Sequence, residues 1–415
     1  MPILATKPQK SIWGDVSKNN YTGLAFDATP NSGKSLSKDF FVDVTHSFLE
    51  DKSLKVNLSV DVNDRSYEEA NAQGIDVIPV INFSNPLSIP KNFTEDLRFV
   101  KTNAYLSKSF DTENNSFIAV LNVKNKTYDV QNRETTNFIN QTKSVGHYNS
   151  FDEETTSSIL FQDSYKLQDD LILVANTKLD YYDRNAYLKD SSETLLRVGA
   201  IYTPTDNWGF KSFYTQTALA PSFYNVDYAD TSKPALTSQQ YYIYSLEGVY
   251  TEGNSKFGVT FDHVEIDDFL YLTPIGFINV DHRIKTDGLL FDYEYSFSQW
   301  DKIHLNYYTS TLSETINNST KGGYVKFMGR YQKFDYFTSI IYRNGYEYLG
   351  LDILDSFDMS LGATYHITKD LSYSIKASNI LDKSTKSLYS ERPDGAIFAL
   401  DDNDRSVTFS IRWVF

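Results

Sequence analysis

The last eleven residues of the chain, 405–415, constrain its fold more than any other segment, because they alternate between polar and apolar side chains and end on an aromatic. Successive side chains of a β-strand point to opposite faces, so this segment predicts a strand with one apolar and one polar face. The apolar face carries Val407, Phe409, Ile411, Trp413 and Phe415. A tilted strand of about 10 residues can cross a bilayer. An isolated strand of this kind would also suit a soluble core, so the rest of the chain decides.

The same alternation recurs along the chain, at residues 54–63, 171–181, 289–297, 303–308 and 371–378. Charged side chains occupy many of the polar positions, and these would be costly in a dry sheet-on-sheet core but cost little beside a water-filled lumen. The 31 tyrosines and 28 phenylalanines suit the aromatic girdles that flank the membrane in a barrel. We therefore predict an all-β fold, a transmembrane antiparallel up-and-down β-barrel.

Short polar turns separate the alternating segments, as hairpins require. They lie at residues 49–52, 111–115, 167–170, 203–207, 252–254, 298–301, 332–333 and 368–370. Longer connections fall between them, at residues 67–96, 129–153, 219–237, 269–285 and 381–404. Outer-membrane barrels show this asymmetry, with their short turns in the periplasm. Counting back from the C-terminus gives about 18 strands, the first at residues 21–28.

The predicted domain organisation is one barrel over residues 20–415, preceded by an irregular N-terminal segment over residues 1–19. That segment lacks an apolar stretch of signal-peptide length. An apolar run at residues 75–83 either folds over the barrel mouth or extends a strand, and the sequence does not choose between these. The formal net charge of −15 argues against a nucleic-acid surface.

Several short motifs follow one another in the C-terminal half of the chain. Residues 220–223 read Ala-Pro-Ser-Phe, residues 236–239 Leu-Thr-Ser-Gln, residues 244–248 Tyr-Ser-Leu-Glu-Gly and residues 379–383 Asn-Ile-Leu-Asp-Lys, ahead of the final strand. In this order and spacing they resemble segments of TonB-dependent outer-membrane receptors. Ala218-Leu219 stands where that family usually has Phe-Arg, and Ser238-Gln239 stands where it usually has Pro-Glu. Residues 1–200 match only in their barrel character.

The resemblance implies energised uptake of a scarce ligand, such as a ferric siderophore, haem, cobalamin or another metal chelate, across the outer membrane of a Gram-negative bacterium. It implies a barrel of about 22 strands around a plug domain, and no plug domain is recognised in this sequence. We therefore predict the C-terminal barrel portion of a truncated or partial receptor. Its implied partners are outer-membrane lipid, the barrel-assembly machinery and, through a plug, the TonB energy-coupling complex. A passive outer-membrane porin of about 18 strands is the alternative.

No residues in the sequence suggest catalysis. The six histidines show no metal-ligand spacing, and neither a nucleophile elbow nor a phosphate-binding glycine loop occurs. We therefore predict that the chain is not an enzyme and needs no cofactor.

Three sets of residues are candidates for binding. Aromatic side chains in the long connections provide rigid contact area for a large chelate, unless they only complete the membrane girdle; they are Tyr224, Tyr228, Phe269, Tyr271 and Phe277. Clustered carboxylates suit a hard cation, or form an ordinary acidic loop; they are Asp401, Asp402 and Asp404. The terminal aromatic pattern, carried by Phe409, Trp413 and Phe415, resembles the signal read by the barrel-assembly machinery.

Overall fold

The structure, a computed structural model, describes residues 3–13, 32–70, 90–137, 142–144, 146–185, 187–273, 276–313, 319–348, 351–389, 398–401 and 404–414. The first elements are β1 Ile3–Trp13, β2 Ser32–Phe48, β3 Leu54–Ala70, β4 Pro90–Asp111, β5 Asn115–Asn137, β6 Thr142–Ser144, β7 Glu153–Gln168, β8 Leu171–Arg184, β9 Ser191–Tyr202, β10 Trp208–Leu219 and the helix α1 Phe223–Asp227. There follow β11 Gln239–Glu252, β12 Ser255–Asp267, β13 Leu270–Leu272, β14 Phe277–Asn279, β15 Ile284–Ser296, β16 Lys302–Leu312, β17 Lys321–Tyr331 and β18 Phe334–Arg343. The last elements are β19 Tyr346–Tyr348, β20 Leu351–Ile353, β21 Ser356–His366, β22 Leu371–Ser378, β23 Lys386–Tyr389, β24 Phe398–Asp401 and β25 Ser406–Trp413.

One antiparallel sheet of 19 strands dominates the fold, and all of its strands except the short β6 pair in chain order from β1 to β25. β6 pairs with the far end of β5. Three small hairpins, β13–β14, β19–β20 and β23–β24, lie within the long connections. The all-β, up-and-down architecture and the count of about 18 strands are therefore confirmed.

All eight predicted short turns join consecutive strands at one end of the sheet. Between Tyr331 and Phe334, for example, only two residues make the turn, and Gln332 adopts a φ of 53°. Tight hairpins require such left-handed backbone, which Gly253 also supplies at φ 54°. The five predicted long connections lie at the opposite end, although β3 and β5 extend farther into them than the sequence indicated.

The two faces of the sheet differ in chemistry, as the alternation predicts. Phe409 lies opposite Ile375 and Ile411 opposite Tyr373, and this apolar face is exposed. Ser410 lies opposite Ser374 on the other face, where the hydroxyls of Ser374 and Thr364 hydrogen-bond at 2.9 Å. We call the face with the exposed apolar side chains the outer face and the opposite one the inner face.

The N-terminus differs from the prediction. The sequence predicts an irregular segment over residues 1–19, whereas the structure has β1 there, paired with β2 from Ile3 opposite Asp43 to Trp13 opposite Gly33. The unpaired backbone groups along an edge of β2 provide partners for a segment whose own alternation is weak, and Pro8 is tolerated because β1 lies at the end of the described sheet. The predictions at residues 21–28 and 75–83 lie outside the described residues. In the described part of the chain no helix is long and apolar enough to cross a membrane.

Candidate ligand-binding site

Some of the long connections pack together around a small apolar core at the loop end of the sheet. Its buried members are Leu97, Tyr128, Phe151, Leu188, Phe223, Val226, Ala229 and Leu236. They come from β4, β5 and the connections that follow β5, β8 and β10. We call this cluster the loop core. Leu97 and Tyr128 belong to the inner-facing rows of their strands, since the neighbouring apolar residues Leu121 and Val123 point outward and are exposed. The loop core therefore lies on the inner face, at the mouth.

The short helix α1 forms the centre of the loop core, and the Ala-Pro-Ser-Phe motif positions it. Ser222 is the N-cap: its hydroxyl accepts a hydrogen bond from the backbone N–H of Asn225 at 3.2 Å. The Asn225 side chain accepts in turn from the Ser222 backbone N–H at 2.9 Å, which completes a capping box. Phe223 and Val226 then project into the apolar core. The motif thus specifies where the connection turns inward.

A buried ion-pair network fixes α1 to the sheet. The Arg133 guanidinium donates to Glu95 at 2.7 Å and to Asp227 of α1 at 2.7 Å. The side chains of Arg133 and Asp227 are only 1% and 0% exposed. Asp227 also accepts from the Tyr128 hydroxyl at 3.1 Å and from the Tyr148 backbone N–H at 2.7 Å. One guanidinium thus serves two carboxylates, and hydrogen bonds from neighbouring O–H and N–H groups offset the cost of burying their charge.

A bulge in β5 places Arg133 on the correct face. Leu97 pairs with Val130, but the preceding residue Asp96 pairs with Asn132, so one residue of β5 is unpaired. An extra residue in one strand reverses the side-chain alternation beyond it. Arg133 therefore points to the inner face like Val130, three positions earlier.

Two tyrosines enclose the guanidinium. The Arg133 guanidinium carbon lies 4.4 Å from the ring centroid of Tyr148 and 5.2 Å from that of Tyr228. The Tyr228 hydroxyl donates to Glu95 at 3.2 Å. Burial raises the pKa of Tyr148 to about 12, and burial together with the negative charge of Glu95 raises the pKa of Tyr228. Both phenols are therefore neutral at physiological pH.

The β13–β14 hairpin packs against the segment that follows α1. Phe277 donates its backbone N–H to the Tyr228 carbonyl at 2.8 Å, and Asp230 donates to the Phe277 carbonyl at 3.0 Å. Gly276 has a φ of 155°, and a Cβ there would lie 2.6 Å from the Tyr228 carbonyl oxygen. Only glycine fits this close approach, which holds the hairpin against the mouth.

The structure brings three of the five aromatic candidates together. The ring centroid of Tyr224 lies 4.7 Å from that of Tyr228 and 5.8 Å from that of Phe277. Tyr228 is only 3% exposed and supports the surface from below, whereas Tyr224 is 43% exposed. Tyr271 is similarly exposed on β13, and Phe269, next to that hairpin, is half-buried. Tyr224 is therefore the exposed ring of this group of three, while Tyr271 is exposed on the face of its hairpin opposite Phe277.

The acidic and C-terminal candidates lie elsewhere. Asp404 is exposed beside β25, while Asp402, Phe415 and the side chain of Asp401 lie outside what the structure describes. Among the described residues, no group of three or more His, Cys, Asp or Glu side chains could hold a metal ion. Phe409 and Trp413 are about three-quarters exposed on the outer face of β25, at 75% and 71%.

The Asn-Ile-Leu-Asp-Lys motif forms the turn that ends β22. Asn379 adopts a φ of 48°, a left-handed conformation that asparagine tolerates better than most residues. Its side-chain oxygen accepts from the Lys383 backbone N–H at 3.0 Å, and Lys383 in turn accepts from the Phe357 N–H at 2.7 Å. The motif thus holds the first residues of the last long connection against β21.

The sequence analysis missed the charged members of this site, Glu95, Arg133 and Asp227. Each resembles an ordinary solvated residue at the edge of a strand or in a loop. One signal was available in the sequence. Phe93, Glu95 and Leu97 alternate and extend the inner-facing row of β4 into residues 67–96, which the sequence assigned to a long connection.

A family model for TonB-dependent receptor-like β-barrels matches residues 5–380. The chain belongs to this family. Barrels of the family lie in the outer membrane of Gram-negative bacteria, which confirms the predicted resemblance and location. A comparison with the curated proteins finds no match.

Solved receptors share the fold at low sequence identity. The ferric yersiniabactin uptake receptor of Yersinia pestis is 11% identical with a TM-score of 0.74, over 100% of this chain and 68% of that one. The siderophore receptor PiuA of Acinetobacter baumannii is 10% identical with a TM-score of 0.69, over 92% and 65%. The alcaligin receptor of Bordetella pertussis is 13% identical with a TM-score of 0.58, over 84% and 59%. The chain thus spans less than two-thirds of the length of the latter two.

Proposed function

We propose that this chain is the barrel of an energised, TonB-dependent receptor that imports a scarce metal chelate, such as a ferric siderophore, haem or cobalamin. The observation that carries the proposal is the loop core, which folds some of the long connections into a fixed surface at the mouth. A surface that is already ordered binds a ligand without the cost of ordering loops. A passive pore has no need of such a surface.

Tyr224 and Tyr271 are the proposed ligand contacts. Aromatic side chains offer large, rigid contact area together with a hydroxyl, which suits a bulky chelate. Tyr224 is held from beneath by Tyr228 and Phe277, so its ring is positioned before the ligand arrives. The acidic residues Asp401, Asp402 and Asp404 remain a second, independent candidate for a cation.

The barrel provides the mouth and the conduit, and energy coupling requires a plug. In the proposed mechanism the ligand binds two states of the plug with different affinity. A ligand that bound both states equally would not shift the equilibrium between them. TonB would act through that plug. The exposed aromatic face of β25, with Phe409 and Trp413, would contact the barrel-assembly machinery and then lipid.

Ligand titration of the full chain in detergent tests the binding proposal. Tyrosine fluorescence is followed while a panel of ferric siderophores, haem and cobalamin is added. We expect one ligand class to quench it saturably, and Tyr224→Ala and Tyr271→Ala each to weaken that binding about tenfold. Tyr331→Ala, which removes a more exposed tyrosine at a short turn, is the control and leaves the affinity unchanged. Equal losses in all three variants would contradict the proposed surface.

Two observations separate the receptor from the porin. The DNA upstream of Met1 is expected to encode a plug with a signal sequence, in frame or across a frameshift. Planar-bilayer recording of the purified chain gives the second check. A stable, open, multi-subunit channel, together with an upstream stop codon and a secretion signal at a revised start, would establish the porin instead.

A further inference from the structure

Four cationic side chains lie in adjacent inner-facing rows directly below the loop core. Lys101 of β4 is the cross-strand partner of Lys126 of β5, which lies opposite Glu154 of β7. Glu154 lies opposite Arg184 of β8, so four neighbouring strands contribute to one row. Lys124 lies two residues from Lys126 and shares its face. We call Lys101, Lys124, Lys126 and Arg184 the basic patch.

Among the described residues, only one carboxylate, that of Glu154, forms ion pairs with the patch. Lys126 and Arg184 share the single carboxylate of Glu154, at 2.6 and 2.8 Å. In the described part of the chain, Lys101 and Lys124 form no ion pair.

Three further carboxylates lie near the patch, and none of them forms an ion pair with its members among the described residues. Asp61 of β3 lies opposite Lys101 in register without forming an ion pair with it, and Asp180 is paired with Lys178 at 2.7 Å. Glu193 of β9, opposite Asp180, accepts a hydrogen bond from Gln240. Directly opposed like charges such as Lys101 and Lys126 are destabilising.

Arg184 has unused hydrogen-bonding capacity. Its side chain is only 3% exposed, its Nε donates to Glu154 and its Nη1 donates to Ser191 at 3.0 Å. Its Nη2 is buried and has no partner among the described residues. A buried donor without an acceptor is rare and costly, so a missing acceptor is expected beside it.

We propose that the basic patch is an anion-binding subsite on the inner wall, and that the imported chelate belongs to the class carrying carboxylate or phenolate negative charge. The proposal rests on the proposed function, because it names the charge of the ligand. Lys126 lies two residues along β5 from Tyr128 of the loop core. A ligand leaving the mouth for the lumen would meet the patch next. An acceptor there would satisfy Nη2 of Arg184 and screen the two unpaired ammonium groups.

Lysine labelling of the full chain in detergent tests the subsite without any mutation. An amine-reactive reagent is applied with and without metal-free citrate, at constant ionic strength, and each lysine is read by mass spectrometry. We expect citrate to slow the labelling of Lys101, Lys124 and Lys126 severalfold. Lys326, which also faces inward but has His304 and Ser339 as its cross-strand neighbours, is the internal control and should not change. Unchanged labelling at all positions, as expected if the patch instead binds acidic protein side chains, would overturn the proposal.

Charge-removing variants provide the second test. We expect Lys124→Gln and Lys101→Gln each to weaken citrate binding about tenfold, and Lys326→Gln to leave it unchanged. Thermal unfolding checks that each variant is folded. We expect no loss of stability, because removing one of two neighbouring like charges relieves their repulsion. Equal losses in all three variants would indicate only the general field of the lumen and refute a local site. If the chain binds a neutral ferric hydroxamate but not citrate, the subsite is refuted and the proposed function stands. If it binds citrate but none of the chelates, the proposed function is refuted and the subsite stands.

Discussion

Arg133 shows how one side chain organises the mouth of this barrel. It joins Glu95 of β4 to Asp227 of α1, which lies 94 positions away in the sequence. Every donor and acceptor that we identify in this network is placed at hydrogen-bonding distance, and the surrounding tyrosines exclude water. Such pairs add little stability over a well-packed apolar alternative, but they are costly to break.

Removing the guanidinium should therefore unfold the loop core. We expect Arg133→Met to destabilise it by about 3 to 5 kcal/mol, because Glu95 and Asp227 are left buried without a cation. Hydrogen exchange at the Tyr148 and Asn149 amides measures this directly. Arg98→Met is the matched control, since the exposed pair of Arg98 and Asp64 contributes little to stability. Unchanged exchange in Arg133→Met would contradict the role assigned to the network.

The tyrosines around Arg133 predict an alkaline limit to the loop core. Folding raises the pKa of Tyr148 from 10.0 to about 12, so the folded state favours the neutral phenol. This contribution to stability is fully present below pH 10 and is lost as the pH rises through 12. Near-ultraviolet circular dichroism should show the loop core melting over that interval. Tyr148→Phe should make the loss less steep, whereas Tyr331→Phe, at an exposed turn, should not alter it.

At the scale of elements, the family motifs mark places where the chain leaves a strand. The Ala-Pro-Ser-Phe segment caps α1 through Ser222, and the Asn-Ile-Leu-Asp-Lys segment turns at Asn379 after β22. Neither lies within a strand of the sheet, although Ile380 and Lys383 hydrogen-bond to Met359 and Phe357 of β21. Both direct long connections that would otherwise have many conformations, which explains why residues of these types suit these positions.

The last strand, β25, offers a direct test of the two faces. We expect Phe409→Lys to destabilise the folded barrel by about 2 to 4 kcal/mol, because it places a charge in lipid near the bilayer midplane. Ser410→Lys, one residue along and facing inward, should cost far less. Urea unfolding in lipid vesicles measures both. Similar losses in the two variants would contradict the assignment of faces.

At the scale of the whole molecule, the sheet and the loop core are separable structures. The sheet depends on backbone pairing between neighbouring strands, whereas the loop core depends on side chains from connections that are distant in sequence. Leu219 and Gln239, which flank the α1 connection, are direct cross-strand partners, so a short hairpin could join them.

Replacement of residues 221–237 by a short Gly-Ser turn should therefore preserve the barrel and abolish ligand binding. We expect the far-ultraviolet circular dichroism spectrum and the heat-dependent mobility in detergent gels to remain those of the intact chain. Chelate titration should show no saturable binding. Loss of the folded barrel in this variant would show that the sheet needs the loop core, contrary to the separation argued above.

The sequence by itself determined the outer-membrane barrel, its eight short turns and the two faces of its strands. These features are local: alternation relates residues two apart, and a tight turn needs only a few residues with the right backbone preferences. The motif at residues 220–223 likewise marked the connection that carries α1. The sequence also identified the aromatic candidates Tyr224, Tyr228 and Phe277, because an aromatic side chain in a long connection is a candidate for ligand contact whatever the tertiary structure.

Only the tertiary structure decided the loop core, the pairing of Arg133 with Asp227 and the row that joins Lys101, Lys126 and Arg184. These contacts depend on strand register and on a one-residue bulge in β5, and a slip of one residue would send every side chain to the other face. Register is set by the sum of many cross-strand contacts. The last strand therefore predicts the barrel, whereas the chemistry of the mouth depends on the register between strands that are distant in sequence.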